Sequence, residues 1–195
     1  MDNTSILIGI ASSGFVRAFV VSAVVNLMVS SLYPVELLFG EGPYIHFNRE
    51  NLVEEALKRN KTHLLFIDDD VGFPTGGMEQ LISANVPIIG APYAMRRESS
   101  MHLSTVGFID PDIRPVKMSE MPEYIFECDW LGMGFTLINL EVFKKVPQPW
   151  FEYQHIRGKL AGEDIDFCVK AKKAGYQILC EPRIKLLHIG DYAYR

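Results

Sequence analysis

Short apolar runs that alternate with amphipathic segments through the first half of the chain predict an α/β fold, with a central mixed but mostly parallel sheet flanked by helices. Two local features support this. Leu64-Leu65-Phe66-Ile67 is apolar without the alternation of a half-exposed strand, as suits a strand covered on both faces. The first apolar run ends in the small residues Gly9, Ala11, Ser12, Ser13 and Gly14, the pattern of strand, tight turn and helix.

The first strand is expected over residues 5–10, and a buried helix in the uncharged stretch 18–33. That stretch is too short for a membrane span, and Ser22, Asn26, Ser30 and Ser31 interrupt it. It also lacks the basic start of a signal peptide, since Asp2 precedes the first apolar run and Arg17 follows it. A second strand at 35–39 closes at Gly40-Glu41-Gly42-Pro43, and residues 48–59 form an amphipathic helix with Leu52, Val53, Ala56 and Leu57 on its apolar side. Further helices are expected at 75–84, 141–145 and 163–174, the last closed by Gly175 where a C-cap glycine belongs. Strands are expected at 64–67, 86–90, 103–108, 135–139 and 176–180, with an apolar strand-like run at 184–187 before His188. Residues 111–122 read as a loop.

The 195 residues, 48% hydrophobic and 22% charged, suffice for one ordinary core and are few for two, so a single domain over 1–195 is expected. A net charge of -5 gives no basic face on which to neutralise nucleic-acid phosphates. Cys128, Cys168 and Cys180 are odd in number and lack paired ligand spacing. They indicate neither a disulfide framework nor a zinc site, and fit a reducing, cytoplasmic compartment.

Three consecutive aspartates after an apolar strand, Asp68-Asp69-Asp70, repel one another unless something compensates them. A hard divalent cation such as Mn²⁺ or Mg²⁺ does so, commonly held by one or two carboxylates plus substrate phosphates. Alternate residues on a strand share a face, so Asp68 and Asp70 are expected to point together into the crevice at the carboxyl end of the sheet, where open α/β sheets bind ligands. A solvated acidic turn before Gly72-Phe73-Pro74 is the plainer alternative. Gly132, Met133 and Gly134 lie between Trp130 and a new apolar strand. Glycine there permits close approach to a ligand, and a tight turn or bulge explains it equally. Gly162-Glu163-Asp164-Ile165-Asp166 opens a helix with Ile165, Cys168, Val169 and Ala171 available to the core. Acidic residues stabilise a first helical turn. A second acidic group at the mouth of the same sheet also offers a general base, for which Asp164 is the candidate. His188 is either a satisfied structural histidine or a third metal ligand.

Together these segments resemble a GT-A glycosyltransferase. Phe66-Ile67-Asp68-Asp69-Asp70 is similar to the Asp-x-Asp metal motif, and Gly162-Glu163-Asp164 resembles the Glu-Asp motif that carries the catalytic base of inverting family 2 enzymes. Gly90-Ala91-Pro92-Tyr93, Trp130-Leu131-Gly132-Met133-Gly134-Phe135 and His188-Ile189-Gly190 resemble the small glycosyltransferase domains encoded by chlorella-type algal viruses and some phages. The resemblance spans residues 5–190. It implies a GT-A fold and metal-dependent transfer of a sugar from a nucleotide-diphosphate sugar, a UDP-sugar, to the hydroxyl of a glycan or other acceptor with inversion, in the cytoplasm of the cell or viral host. By the same resemblance Asp68 contacts ribose or metal-bound water, Asp69 belongs to the nucleotide-sugar site, and Asp70 ligates Mn²⁺ or Mg²⁺ together with the diphosphate. His188 completes the protein ligands, Ala11, Ser12 and Ser13 hold the base, and Arg49 falls where a nucleotide-side basic residue is common. Gly132, Met133 and Gly134 are counted with the nucleotide-sugar site. Arg96 or Arg97 adds charge for the leaving diphosphate, binds acceptor, or serves only the surface.

Two other classes fit part of the pattern. Asp68-Asp69-Asp70-Val71 also matches the nucleophile motif of haloacid-dehalogenase-type phosphohydrolases, but that motif normally lies on the first strand, and here a βαβ-sized segment precedes it. A non-catalytic glycan-binding or virion structural domain agrees with the fold. The carboxylates argue against it.

Overall fold

The computed structural model describes residues 4–95 and 102–190 and the backbone of 193–194. In chain order its first elements are β1 (Ile6–Ser12), α1 (Ala18–Ser30), β2 (Val35–Glu41), α2 (Ile45–Lys58), β3 (His63–Asp68), β4 (Val71–Gly72), α3 (Gly77–Ser83) and β5 (Ile88–Gly90). There follow β6 (Leu103–Phe108), β7 (Arg114–Lys117), β8 (Phe126–Cys128), β9 (Trp130–Leu131), β10 (Phe135–Asn139) and α4 (Glu141–Lys145). The last are β11 (Gln154–Ile156), β12 (Lys159–Ala161), α5 (Glu163–Lys173), β13 (Ile178–Cys180), β14 (Leu187–Ile189) and β15 (Ala193–Tyr194).

A seven-stranded sheet in the order β2-β1-β3-β10-β5-β13-β8 forms the centre, so the α/β class read from the sequence is the one observed. β1 pairs in parallel with β2 and β3, and β13 in parallel with β5, while β10 enters antiparallel between β3 and β5. The β1–β3 register sets Ala11 opposite Asp68, and Phe135 at the start of β10 lies opposite Ile67. Three strand termini therefore meet at one edge of the sheet.

The period-two alternation of buried strands sorts the core into two layers. Leu7, Leu64 and Phe66 join Leu52, Val53, Phe151, Phe167 and Cys168 on the α2/α5 side. Ile6, Ile8, Leu65 and Ile67 join Val20, Val24, Met78 and Leu81 on the α1/α3 side. Apolar side chains on successive residues of β3 are thus used on both faces.

Several expectations are corrected. α1 is not buried all round: Val20, Val24 and Leu27 face the sheet, while Val29 is 84% exposed and Val21 and Val25 also face solvent, because a helix laid on one layer covers one side. Residues 111–122 are not simply a loop. They contain β7, an edge strand on β6 in a separate three-stranded sheet, where Pro115 is tolerated because an edge need not donate on both sides. His188 lies within a strand rather than after one, since β14 pairs antiparallel with β4 and sets His188 opposite Val71. The hairpin β11–β12, turning at Arg157 (φ 52°) and Gly158 (φ 77°), has no counterpart in the sequence reading. Among the described residues no helix is long and apolar enough to cross a membrane.

Candidate functional site

At the carboxyl ends of β1 and β3 opens a cleft of about 730 Å³, whose lining includes Ala11, Ser13, Arg49, Asp68, Asp69, Asp70 and His188. Register explains the convergence. Parallel pairing ends β1 beside β3, the Asp68 N–H donates to the Gly134 carbonyl (3.1 Å), and the Ile189 N–H donates to the Asp70 carbonyl (3.0 Å), bringing His188 to the turn after β3. Ser12 does not line the cleft. Its hydroxyl is buried and holds its own loop, donating to the Phe15 carbonyl and accepting from the Gly14 N–H, each at 3.1 Å. Asn48, which the sequence did not single out, does line it, and its amide donates to the Ser12 carbonyl (3.1 Å) and the Gly42 carbonyl (2.9 Å), tying the ends of β1 and β2 together.

Arg49, buried on α2, joins the two acidic motifs. Nη2 donates to Asp68 Oδ1 at 2.9 Å and Nη1 donates to Glu163 Oε1. An unpaired buried guanidinium would be costly, and the surrounding carboxylates reverse that. Burial opposes the charge, but Asp68, Glu163 and Asp164 outweigh it and raise the guanidinium above its ordinary value. Tyr93 donates its hydroxyl proton to Asp68 Oδ2 at 3.0 Å, so both oxygens of Asp68 are engaged. Burial, reinforced by the Asp68 charge, holds the Tyr93 phenol protonated by raising it well above its ordinary range.

The glycine turn has a different use from the expected one. A Cβ on Gly132 or Gly134 would lie 2.7 or 2.6 Å from the Tyr93 hydroxyl, and the Gly134 N–H donates to that hydroxyl at 3.1 Å. The close approach is to Tyr93, so Gly132, the buried Met133 and Gly134 stand outside the cleft lining. In the sequence Tyr93 stands only at a strand end, and the paired glycines that admit its ring are the one signal of its place in the site.

Asp164, half-buried in the first turn of α5, is not a lining residue but lies within electrostatic reach of Arg49, Asp68 and Tyr93. Burial and then the Glu163 charge push its carboxyl up to about 6, against the pull of Arg49 and the Ile165 N–H, which donates to Oδ1 at 2.8 Å. A carboxylate that titrates near neutrality is a better proton acceptor than an ordinary aspartate.

Asp70 and His188 are both buried, with Asp70 Oδ2 3.2 Å from His188 Nε2. The other ring nitrogen lies 2.7 Å from the Ala94 carbonyl, which can only accept, so Nδ1 carries hydrogen and Nε2 faces the carboxylate. A carboxylate oxygen and an imidazole nitrogen at that separation are drawn together by a shared proton or by a cation. One hard oxygen and one imidazole nitrogen suit Mn²⁺, and the Nδ1 bond is of the kind that orients metal-binding histidines. The residues therefore fit a divalent ion as a two-residue protein contribution. The expected set of three is not assembled: among the described residues no group of three or more His, Cys, Asp or Glu side chains is arranged to hold a metal, because Asp68 is turned to Arg49 and Tyr93. Arg96 and Arg97 lie outside the described residues.

No protein-family model and no curated protein matches the chain. Among solved structures, A197 from STIV covers 96% of this chain and 87% of its own at 18% identity with a TM-score of 0.67, and shares its fold. A glycosyltransferase involved in the glycosylation of the major capsid of PBCV-1 covers 75% of this chain and 69% of its own, at 14% identity and TM-score 0.41. An apo UDP-glucose pyrophosphorylase covers 80% of this chain at 8% identity and TM-score 0.47, and this chain spans 59% of that one.

Proposed function

We propose that the chain is a metal-dependent glycosyltransferase, acting as one domain over residues 1–195, that moves a sugar from a UDP-sugar to an acceptor hydroxyl with inversion. The observation that carries this reading is the Arg49 bridge: one buried guanidinium on the cleft wall joins Asp68, at the end of β3, to Glu163, the neighbour of Asp164 at the start of α5. A haloacid-dehalogenase-type phosphohydrolase is disfavoured because β3 is the third strand of the chain and both oxygens of Asp68 are already bonded.

On this reading Ala11 and Ser13 border the nucleoside, and Asp70 and His188 hold a divalent ion. That ion, when bound, supplies Lewis-acid charge to the diphosphate. Arg49 and Tyr93 fix the Asp68 carboxylate at the cleft wall. Asp164 accepts the proton of the acceptor hydroxyl as that oxygen bonds to the anomeric carbon. The bond from that carbon to the diphosphate oxygen breaks, and the nucleoside diphosphate leaves with the electron pair. Buried free thiols at Cys128, Cys168 and Cys180 support a cytoplasmic setting.

A thermal-shift screen of nucleotide sugars with and without Mn²⁺ tests the reading, since a ligand that binds only the folded state raises apparent stability. A UDP-sugar is expected to raise the Tm only with Mn²⁺. A screen in which no nucleotide sugar does so would overturn it.

A further inference from the structure

Beside the cleft, Tyr44, Phe47 and Tyr153 leave 59%, 58% and 51% of their surface in solvent. They are not scattered. The His46 ring lies 4.3 Å from Phe47, 6.0 Å from Tyr44 and 5.5 Å from Tyr153, centroid to centroid, and Tyr44 meets Phe47 at 6.0 Å. Four rings thus make one continuous patch from the start of α2 to the segment before β11. Contiguous exposed apolar surface of this kind marks a place where something binds, and aromatic rings are characteristic of ligand sites.

Its position is specific. Tyr44 is the residue before α2, whose Ile45 and Arg49 line the cleft. At the other end Tyr153 lies within electrostatic reach of Glu163 and Asp164, and burial together with their charges raises its phenol above the ordinary range. The backbone before Tyr153 is fastened on both sides, by the Phe151 N–H donating to Glu50 (2.6 Å) and the Glu152 N–H donating to Asp166 (3.2 Å). The patch therefore runs from the cleft rim to the proton-accepting side of the site, on the α2/α5 side of the sheet.

The ring geometry narrows the class of ligand. Tyr44 and Phe47 stand at 86° to each other, and His46 and Tyr153 at 85°. A nucleobase seeks one flat stacking face, whereas rings set edge to face make a stepped surface. Such a surface fits a puckered ring that offers C–H groups to the electron-rich ring faces and keeps its hydroxyls at the rim.

We infer that this patch is the docking platform for the acceptor, a carbohydrate whose pyranose ring packs its C–H face on Phe47 and Tyr153 so that one hydroxyl reaches Asp164. This rests on the transferase reading of the cleft and adds to it the chemical class and the place of the acceptor.

Saturation-transfer NMR on the full chain, with the methyl glycosides of glucose, galactose, mannose and N-acetylglucosamine at millimolar concentration, tests it alongside calorimetry of UDP with Mn²⁺ on the same samples. The expected result is that at least one glycoside binds the wild type and Tyr153→Phe. The double substitution Phe47→Ala/Tyr153→Ala weakens that binding by about tenfold, the combined size of two lost stacking contacts, and leaves UDP affinity unchanged. Glycoside binding that survives the double substitution overturns the inference. So does a wild type that binds UDP but none of the glycosides, and so does a double variant that loses UDP instead, which gives the rings to the nucleobase. Ring-dependent glycoside binding without UDP binding would retain the platform and refute the transferase reading.

Discussion

Replacing Asp164 by Asn separates a proton acceptor from a helix-stabilising acid, because the two roles move stability in opposite directions. The Asp164 carboxyl is raised from 3.8 to about 6, chiefly by burial and then by Glu163. At about 1.4 kcal/mol for each tenfold step, this corresponds to at most ~3 kcal/mol. Well below pH 3.8 the group is protonated in the folded and unfolded chains alike and has no differential effect. Above about pH 6 it is ionised in both, and the folded state bears the full penalty, so the wild type loses stability as pH rises through this window. Asn is neutral throughout and can still accept from the Ile165 N–H. Urea denaturation from about pH 3 to about pH 8 should therefore find Asp164→Asn equal to the wild type at the acid end and more stable by up to ~3 kcal/mol at the alkaline end. Sugar transfer should fall by roughly two to four orders of magnitude while donor affinity holds. A variant less stable by a few tenths to about 1 kcal/mol at every pH, with near-normal transfer, would show that Asp164 only complements the helix dipole.

Other changes probe the remaining parts of the site. Asp70→Ala should abolish Mn²⁺-dependent UDP binding while the fold persists, and His188→Ala should raise the Mn²⁺ concentration needed for half-maximal transfer; calorimetry and a Mn²⁺ titration of activity check the two. Arg49→Met leaves Asp68 and Glu163 without their shared counter-charge, which should cost about 3–5 kcal/mol in denaturation. Because Arg49 pulls the Asp164 carboxyl down, its removal should also move the acid limb of the pH–rate profile upward. In the wild type that limb should rise through about pH 6, and a rate flat down to pH 4.5 would take Asp164 out of the reaction. Gly134→Ala should destabilise by about 1–3 kcal/mol, measured by denaturation, through overlap with Tyr93.

Strands whose side chains are apolar on both faces were legible in the sequence. β3 falls where the unbroken run Leu64-Leu65-Phe66-Ile67 places it, and β10 and α4 run over the expected residues. The hairpin β11–β12 was not, because Gln154, His155, Lys159 and Leu160 are exposed and carry no alternating pattern. At the site, the aspartates stood out because like charges at a strand end demand compensation. Arg49 was read as a nucleotide-side residue, whereas its partners come from packing α2 beside α5, which nothing in its local sequence encodes. His188 reaches Asp70 through β4 and β14, strands of two and three residues too short to show a period.

The bridging guanidinium is carried by a helix rather than a loop. Two hydrogen bonds, a buried position and α2's contacts with the sheet fix it before any ligand arrives. Dipoles and charges held this way need little reorganisation when charge moves during a reaction, whereas water or a mobile loop would have to turn to follow it. Asp68, the Tyr93 hydroxyl and Glu163 inherit that fixity through Arg49. On the transferase reading, the Arg49, Asp68, Tyr93 and Glu163 side of the site therefore stands preorganised before a donor arrives.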